Sequence, residues 1–319
     1  MKRVFITGAT GFVGQHLVRR SSELGYALSA GVRDKARAAS KLPAGIAVFP
    51  FDLDGDIDGA ALEDCSCVIH LAAQVHLKKP TAQELDAYST RNAAATAALA
   101  EAAARQGVRR FVFLSSIKVN GEQTYDRPIR HDDVPAPLDA YGRSKLQAEQ
   151  ALAEIASRAG MDFVVIRSPL VYGAGVKANF LALLRWVHKG IPLPLSGLSN
   201  KRSLVAVGNL VDLLLRCVEH PDASNQVFLA ADGEDLSTSE LLRRIGEALR
   251  RPARLFPVRV DVLERVARLI GKADEARRLC GSLQVDASRT RRVLDWSPPI
   301  AVDEELQNTA DHFLRSLRT

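Results

Sequence analysis

Eight residues near the start of the chain, Thr7-Gly8-Ala9-Thr10-Gly11-Phe12-Val13-Gly14, constrain the fold more than any other stretch. They follow a short β-branched run and open a helical pattern. A glycine-rich turn at a strand–helix junction lets backbone approach a pyrophosphate, and the helix N-terminus then faces the negative charge. A glycine pattern alone is a weak signal, and its place at the junction is what gives it weight. The glycines are spaced three and three, at Gly8, Gly11 and Gly14. That differs from the two-and-three Rossmann fingerprint, and a purely structural turn is the alternative. The expected cofactor contacts here are Gly8, Thr10, Gly11, Phe12, Val13 and Gly14.

The first two-thirds of the chain repeat this strand–helix pattern. Apolar runs at 4–7, 27–32, 47–51, 68–71, 111–115 and 163–167 read as strands buried on both faces. Helical stretches at 14–24, 82–106 and 144–159 lie between them. Strand–helix alternation predicts an α/β fold, a doubly wound parallel sheet of Rossmann type. Beyond Arg167 the pattern turns irregular, with helices expected at 180–189, 209–219, 239–249 and 260–270. This predicts a dinucleotide-binding domain over 1–168 and a smaller mixed α/β substrate-binding part over 169–319, interleaved with the first.

Composition narrows the function classes. The 319 residues carry a formal charge of +6, with no dense basic stripe interleaved with aromatics, which argues against nucleic acid. The four cysteines, Cys65, Cys67, Cys217 and Cys280, are too scattered for a disulfide framework, and Cys65 and Cys67 read as core residues rather than metal ligands. No metal site is expected. No apolar run reaches the ~18 residues of a membrane span, and strand-like sequence begins at once, so a soluble cytoplasmic protein is expected.

The cofactor site can be followed along the strand ends. Arg33 falls where the second strand should meet the adenosine ribose, and a cation there favours NADP(H), with NAD(H) as the alternative. Asp52 is placed to meet the adenine edge, beside Leu53. Leu71, Ala72 and Ala73 would line the cofactor at the end of the fourth strand, and His70 reads as structural.

Tyr141 and Lys145 are four residues apart and share one helix face. A tyrosine hydroxyl of pKa ~10 is a poor base at neutral pH. A nearby ammonium stabilises the phenolate, so Tyr141 could exchange a proton with a substrate oxygen while hydride moves to or from a nicotinamide. Ser116, with Ser115 as the alternative, ends the fifth strand, where ligands of parallel sheets bind.

With TGATGFVG, HLAA, the 92–96 segment, SSIKVNG, YGRSK, the 167–173 segment and RSLVAVGNLVD, nearly the whole chain resembles the extended short-chain dehydrogenase/reductase family. The likeness is to its nucleotide-sugar epimerase, dehydratase and reductase branch. The resemblance implies a Ser/Tyr/Lys catalytic group at Ser116, Tyr141 and Lys145. It also implies cofactor contacts from Asn92, Ser115, Pro169 and Val171. A C-terminal region would grip a nucleoside-diphosphate sugar, UDP-linked in the related enzymes, through Lys118, Asn179, Arg202 and Arg278. A homodimer through two long helices is implied, with ordinary packing within one chain as the alternative. Surface polysaccharide synthesis is the setting that the family suggests.

Departures from the family pattern bear on the reaction. Dehydratases of this branch carry an Asp-Glu pair after the active-site hydroxyl residue, and Ile117 and Lys118 stand there instead. Epimerases usually have Ser or Thr where Lys118 stands, and Tyr where Asn120 stands. With Arg33, these features favour reduction of a 4-keto sugar on a nucleotide carrier. UDP-hexose or N-acetylhexosamine 4-epimerisation with retained NAD is the alternative, and a non-catalytic dinucleotide sensor or structural subunit is the third reading.

Overall fold

The computed structural model describes residues 3–55, 57, 59–74 and 82–318, and for 82–90 the course of the backbone alone. The N-terminal half runs β1 (Arg3–Thr7), α1 (Phe12–Glu23), β2 (Ala27–Val32), α2 (Lys35–Ala39), β3 (Ala47–Pro50), β4 (Cys65–His70), α3 (Ala82–Arg105), β5 (Arg110–Ser116), α4 (Ala140–Ala159) and β6 (Asp162–Ser168). It continues through β7 (Leu170–Tyr172), α5 (Ala178–His188), β8 (Arg202–Ala206), α6 (Val207–Glu219), β9 (Gln226–Leu229), β10 (Asp235–Leu236) and α7 (Thr238–Ala248). The last helices are α8 (Val260–Leu269), α9 (Ala273–Cys280), α10 (Ser288–Leu294) and α11 (Val302–Ser316).

Among the described residues, seven parallel strands form the main sheet in the order β3-β2-β1-β4-β5-β6-β9. The order reverses between β1 and β4, which opens a crevice at their carboxyl ends. Strand alternation explains the two helical layers. Val4 and Ile6 point into one core with Leu17 and Val18 of α1 and Leu210 and Leu214 of α6. Phe5 points the other way, to Leu99 and Ala103 of α3 and Leu152 of α4. The cysteines of β4 are two residues apart yet enter different cores, Cys67 the first and Cys65 the second, because the pairing with β1 shifts register between them, and both are packing residues as expected.

The smaller sheet pairs β7 with β8 in parallel and β8 with β10 antiparallel. It is covered by α5, α7 and α11, whose Phe180, Leu242 and Phe313 share a third core with Tyr172. Sequence patterning located most of the long elements within a few residues. The boundaries differ at β4, which begins at Cys65 rather than 68, and at α4, which begins at Ala140 rather than 144. Asp139 explains the earlier start of α4, because its carboxylate accepts from the Gly142 N–H at 2.7 Å and caps the helix.

Candidate active site

The turn after β1 is built for close approach. Gly8 has φ +68°, and a Cβ on it would meet the Ala72 backbone nitrogen at 2.8 Å. A Cβ on Gly14 would lie 2.1 Å from the Gly8 carbonyl oxygen. Gly11 caps α1 with no side-chain hydrogen bond, so the first turn of α1 presents its backbone N–H groups without an internal acceptor. Such a cradle suits a pyrophosphate, and Thr10, Phe12 and Val13 lie within it.

Behind the cradle a buried polar chain runs across the sheet. Thr7 Oγ1 and His70 Nδ1 are 2.6 Å apart, and His70 Nε2 meets Thr96 Oγ1 at 3.2 Å. Burial drives the His70 pKa down to about 3, so the ring is neutral and structural, as expected. The Thr96 hydroxyl donates to the Asn92 carbonyl. Asn92 Oδ1 accepts from the Gln74 N–H at 2.9 Å, and its amide donates to the Gln74 carbonyl and the Ser144 hydroxyl. Ser144 in turn donates to the Tyr141 carbonyl at 2.8 Å. Asn92 therefore ties the 71–74 segment, with Leu71, Ala72 and Ala73, to the first turn of α4.

Tyr141 is the second residue of α4, and Lys145 lies one turn on. The Lys145 ammonium is buried, donates to the Leu114 carbonyl at 2.8 Å and sits 4.4 Å from the Phe113 ring centroid. It lies 5.9 Å from the Tyr141 ring centroid, so the helix-face pair forms as expected. Burial lowers its pKa to about 7, against a smaller raising effect of Glu149. Strand alternation separates the two serines. Ser115 is buried and donates to Glu149, whereas Ser116 is half-buried and its Oγ accepts the Lys118 N–H at 3.3 Å. The hydroxyl facing away from the core is that of Ser116.

Other sequence candidates are placed less closely. Arg33 is exposed just beyond β2, and Asp34 caps α2 by accepting the Arg37 N–H at 3.0 Å. Asp52 is exposed and accepts the Leu53 N–H at 2.7 Å, with β3 ending at Pro50 rather than 51. Pro169 and Val171 follow the end of β6, beside Ser168. Lys118 Nζ is held between Glu122 at 2.8 Å and Asp139 at 2.5 Å, which ties it to the cap of α4. Asn179 is exposed in the first turn of α5. Arg202 starts β8 and donates to the Gly281 carbonyl at 3.0 Å. Burial, then the Arg278 charge, lower its pKa.

Sequence reading passed over the residues beneath this site. Glu149 lies two turns after Tyr141 on the same face of α4, and that spacing was available. Its partner Arg167 comes from β6, and only the fold brings the two together.

The cradle, the strand-end serine and the Tyr/Lys helix are arranged on a Rossmann fold of the extended short-chain dehydrogenase type. The chain belongs to the NAD dependent epimerase/dehydratase family, whose sequence model matches residues 4–231. A UDP-glucose 4-epimerase of Vibrio cholerae is 42% identical over 99% of this chain and 96% of its own length. The structure of MoeE5 in complex with UDP-glucose and NAD superposes with a TM-score of 0.77, at 27% identity and 99% coverage of both chains. A UDP-glucose 4-epimerase of Thermotoga maritima, crystallised with UDP-glucose, has the same fold, with a TM-score of 0.78 at 21% identity over 99% of both chains.

Proposed function

We propose that this protein is a UDP-hexose 4-epimerase that retains its dinucleotide through the catalytic cycle. The observation that carries the reading is the full-length likeness to a UDP-glucose 4-epimerase, together with an intact Ser116/Tyr141/Lys145 group at the strand ends. It takes the place of the 4-keto reduction favoured by the sequence.

The residues present fit a nicotinamide dinucleotide, because the Gly8–Gly14 approach leaves room for nothing bulkier than backbone beneath a pyrophosphate. When bound, the nicotinamide would accept and return hydride at the reacting sugar carbon. Tyr141 takes the proton of the C4 hydroxyl and later gives it back. Lys145 stabilises the phenolate and holds the nicotinamide ribose. Ser116 orients the C4 oxygen toward Tyr141. Arg202, at the start of the central strand β8, and Arg278 of α9, whose charges repel, bind the diphosphate, and an anion between them relieves that repulsion. Asn179 contacts the sugar nucleotide from the start of α5. Dehydration has no support, since Ile117 is buried and Glu122 and Asp139 are both tied to Lys118.

A homodimer belongs to the same reading. Ala93, Ala94 and Ala97 of α3 form an apolar hollow with Gln147 and Ala151 of α4 on their outer side, where a second helix pair would pack closely.

One observation favours the second reading, an NADPH-dependent 4-keto reductase. Arg33 is exposed where the ribose selector stands, and the adjacent Asp34 carboxylate is spent on capping α2. Denaturing the purified protein and assaying the released nicotinamide separates the two. The epimerase reading expects stoichiometric NAD and interconversion of UDP-glucose and UDP-galactose without added cofactor. An empty site, with turnover only when NADPH is supplied to a keto sugar, would replace it with the reductase. Tyr141→Phe should abolish either activity while leaving cofactor binding intact, and full turnover by that variant would mean that Tyr141 does not handle the proton; a parent protein that binds dinucleotide but turns over neither substrate would leave the sensor or structural reading.

A further inference from the structure

Beneath the catalytic helix lies a charged cluster that the reaction as described does not use. Glu149 is 6% exposed and Arg167 is 5% exposed. Arg167 Nη2 donates to Glu149 Oε2 at 2.6 Å, and its Nε spans both carboxylate oxygens at 3.1 and 3.2 Å. The remaining acceptor capacity of Glu149 takes the Ser115 hydroxyl. Arg167 Nη1 reaches Asn120 Oδ1 at 3.0 Å, and Asn120 donates to the Asp133 carbonyl at 3.2 Å. The cluster therefore joins α4, β6, the end of β5 and the loop that carries Lys118.

A buried pair costs several kcal/mol of desolvation per ion, and hydrophobic residues of similar volume are often as stable or more so. Stability alone is a weak reason for placing one there. Its position suggests another reason. Tyr141, Lys145 and Glu149 recur every four residues along one face of α4. Ser115, which Glu149 grips, is the immediate neighbour of Ser116. The one carboxylate thus holds the backbone that aims the serine and stands one turn from the ammonium that serves the tyrosine.

We propose that Glu149 and Arg167 are positioning residues for the reaction: the clamped Glu149 carboxylate holds Ser115 and the Lys145 ammonium in register with Ser116 and Tyr141, and Arg167 holds the carboxylate. This rests on the reading of Tyr141 and Lys145 as the proton-handling pair.

The groups that face Lys145 decide the sign of the effect. From β5 come the Phe113 ring and the Leu114 carbonyl, which carry no net charge. From β4 comes His70, neutral at any working pH. From α4 come Tyr141 and Glu149, and from β6 comes Arg167, in contact with Glu149. Burial pushes Lys145 toward its neutral form, and Glu149 is the anion that opposes this. Arg167 is the cation that partly cancels Glu149. Removing the two partners should therefore move Lys145 in opposite directions.

The test is the pH dependence of kcat/KM, whose alkaline limb reports loss of the Lys145 proton. Glu149→Gln keeps the shape and removes the charge. It should move that limb down by about one pH unit and lower kcat about tenfold, with KM for the sugar nucleotide changed less than about twofold. Arg167→Met should move the limb up. Glu149→Asp and Arg167→Lys, which keep the charges, should return most of the shift. The double variant Glu149→Gln/Arg167→Met removes both charges of the pair together and guards against misfolding of the single variants. It should move the limb down by less than Glu149→Gln alone does, while kcat stays low, because Ser115 has lost its charged acceptor.

Superimposable profiles for wild type and a folded Glu149→Gln would overturn the proposal, as would limbs moving the same way in both single variants. Wild-type kcat in the double variant would do the same. Tyr141→Phe is the control for the underlying reading. If it retains turnover, the catalytic assignment has failed. If it is inactive while the Glu149 and Arg167 variants behave as wild type, only the positioning role has failed.

Discussion

Lys145 is the residue at which folding and chemistry pull apart. It is 3% exposed, with a carbonyl, an aromatic face and one carboxylate a turn away. Burial lowers its pKa from 10.5 to about 7. The unfolded chain then holds a proton between about pH 7 and 10.5 that the folded chain releases, so stability rises with pH across that window. Below pH 7 the cost of the buried charge is present in full. Lys145→Met should therefore be inactive yet more stable than the parent, by about 1–3 kcal/mol at pH 6.5, with the gain shrinking by more than half at pH 9. Urea unfolding at the two pH values checks this. A variant less stable at pH 6.5, with a difference indifferent to pH, would show that contacts rather than charge dominate. The spacing of Tyr141 and Lys145 was legible because a helix face is a property of local sequence. The separation of Ser116 from Ser115 needed the strand's orientation. The Glu149–Arg167 contact joins residues on two elements, and no local period reports it.

At the scale of elements, the turn between β1 and α1 sets the strictest condition. A methyl group on Gly14 would be driven into the Gly8 oxygen at 2.1 Å and into Ala9 backbone at 2.8 and 2.9 Å, and no side chain is there to yield. Gly14→Ala should cost more than about 2 kcal/mol and weaken nicotinamide binding at least about tenfold. Gly107 is a useful contrast. Its φ is +70°, but a Cβ there would meet nothing within 4 Å. Gly107→Ala should cost only about 1–2 kcal/mol of backbone strain and leave cofactor affinity unchanged. Titration calorimetry with NAD, beside thermal unfolding, distinguishes the two, and equal losses of affinity would contradict the steric argument. The strict turn was legible because its glycines are adjacent in sequence. Most of the elements that escaped notice are short. β7 has three residues directly after Pro169, and β10 has two. α11 carries buried Val302, Leu306, Ala310 and Phe313 at helical spacing, but it follows Pro298 and Pro299 and was passed over.

Across the whole molecule, the two halves of the chain meet at the 173–175 turn after β7. His16 of α1 lies 2.8 Å from the Ala174 carbonyl through its Nε2. Glu305 of α11 accepts the Ala174 N–H, and a Cβ on Gly173 would come within 2.4 Å of its carboxylate. One residue, Ala174, is thus gripped through its carbonyl by the first helix and through its N–H by the last. Such contacts, which join α1 and α11 to one turn far from both in sequence, are invisible to sequence patterning, which explains why the irregular second half was read least well. Glu305 is buried, and it faces Asp232, Tyr172, Glu304 and Asn308 as well as the turn. Burial, then the Asp232 and Glu304 charges, raise its pKa from 4.5 to about 7, with the Asn308 and Ala174 hydrogen bonds opposing. The folded chain holds this proton where the unfolded chain has released it, so stability is lost as pH rises from about 4.5 to about 7. Glu305→Gln keeps an acceptor for Ala174 and removes the charge. It should stabilise the fold by about 1–3 kcal/mol at pH 8, and the gain should vanish near pH 4.5. Thermal or urea unfolding at pH 8 and pH 5 measures the difference. Equal effects at both values, or a loss at pH 8, would mean that the carboxylate is held by its hydrogen bonds strongly enough to stay ionised between the two halves.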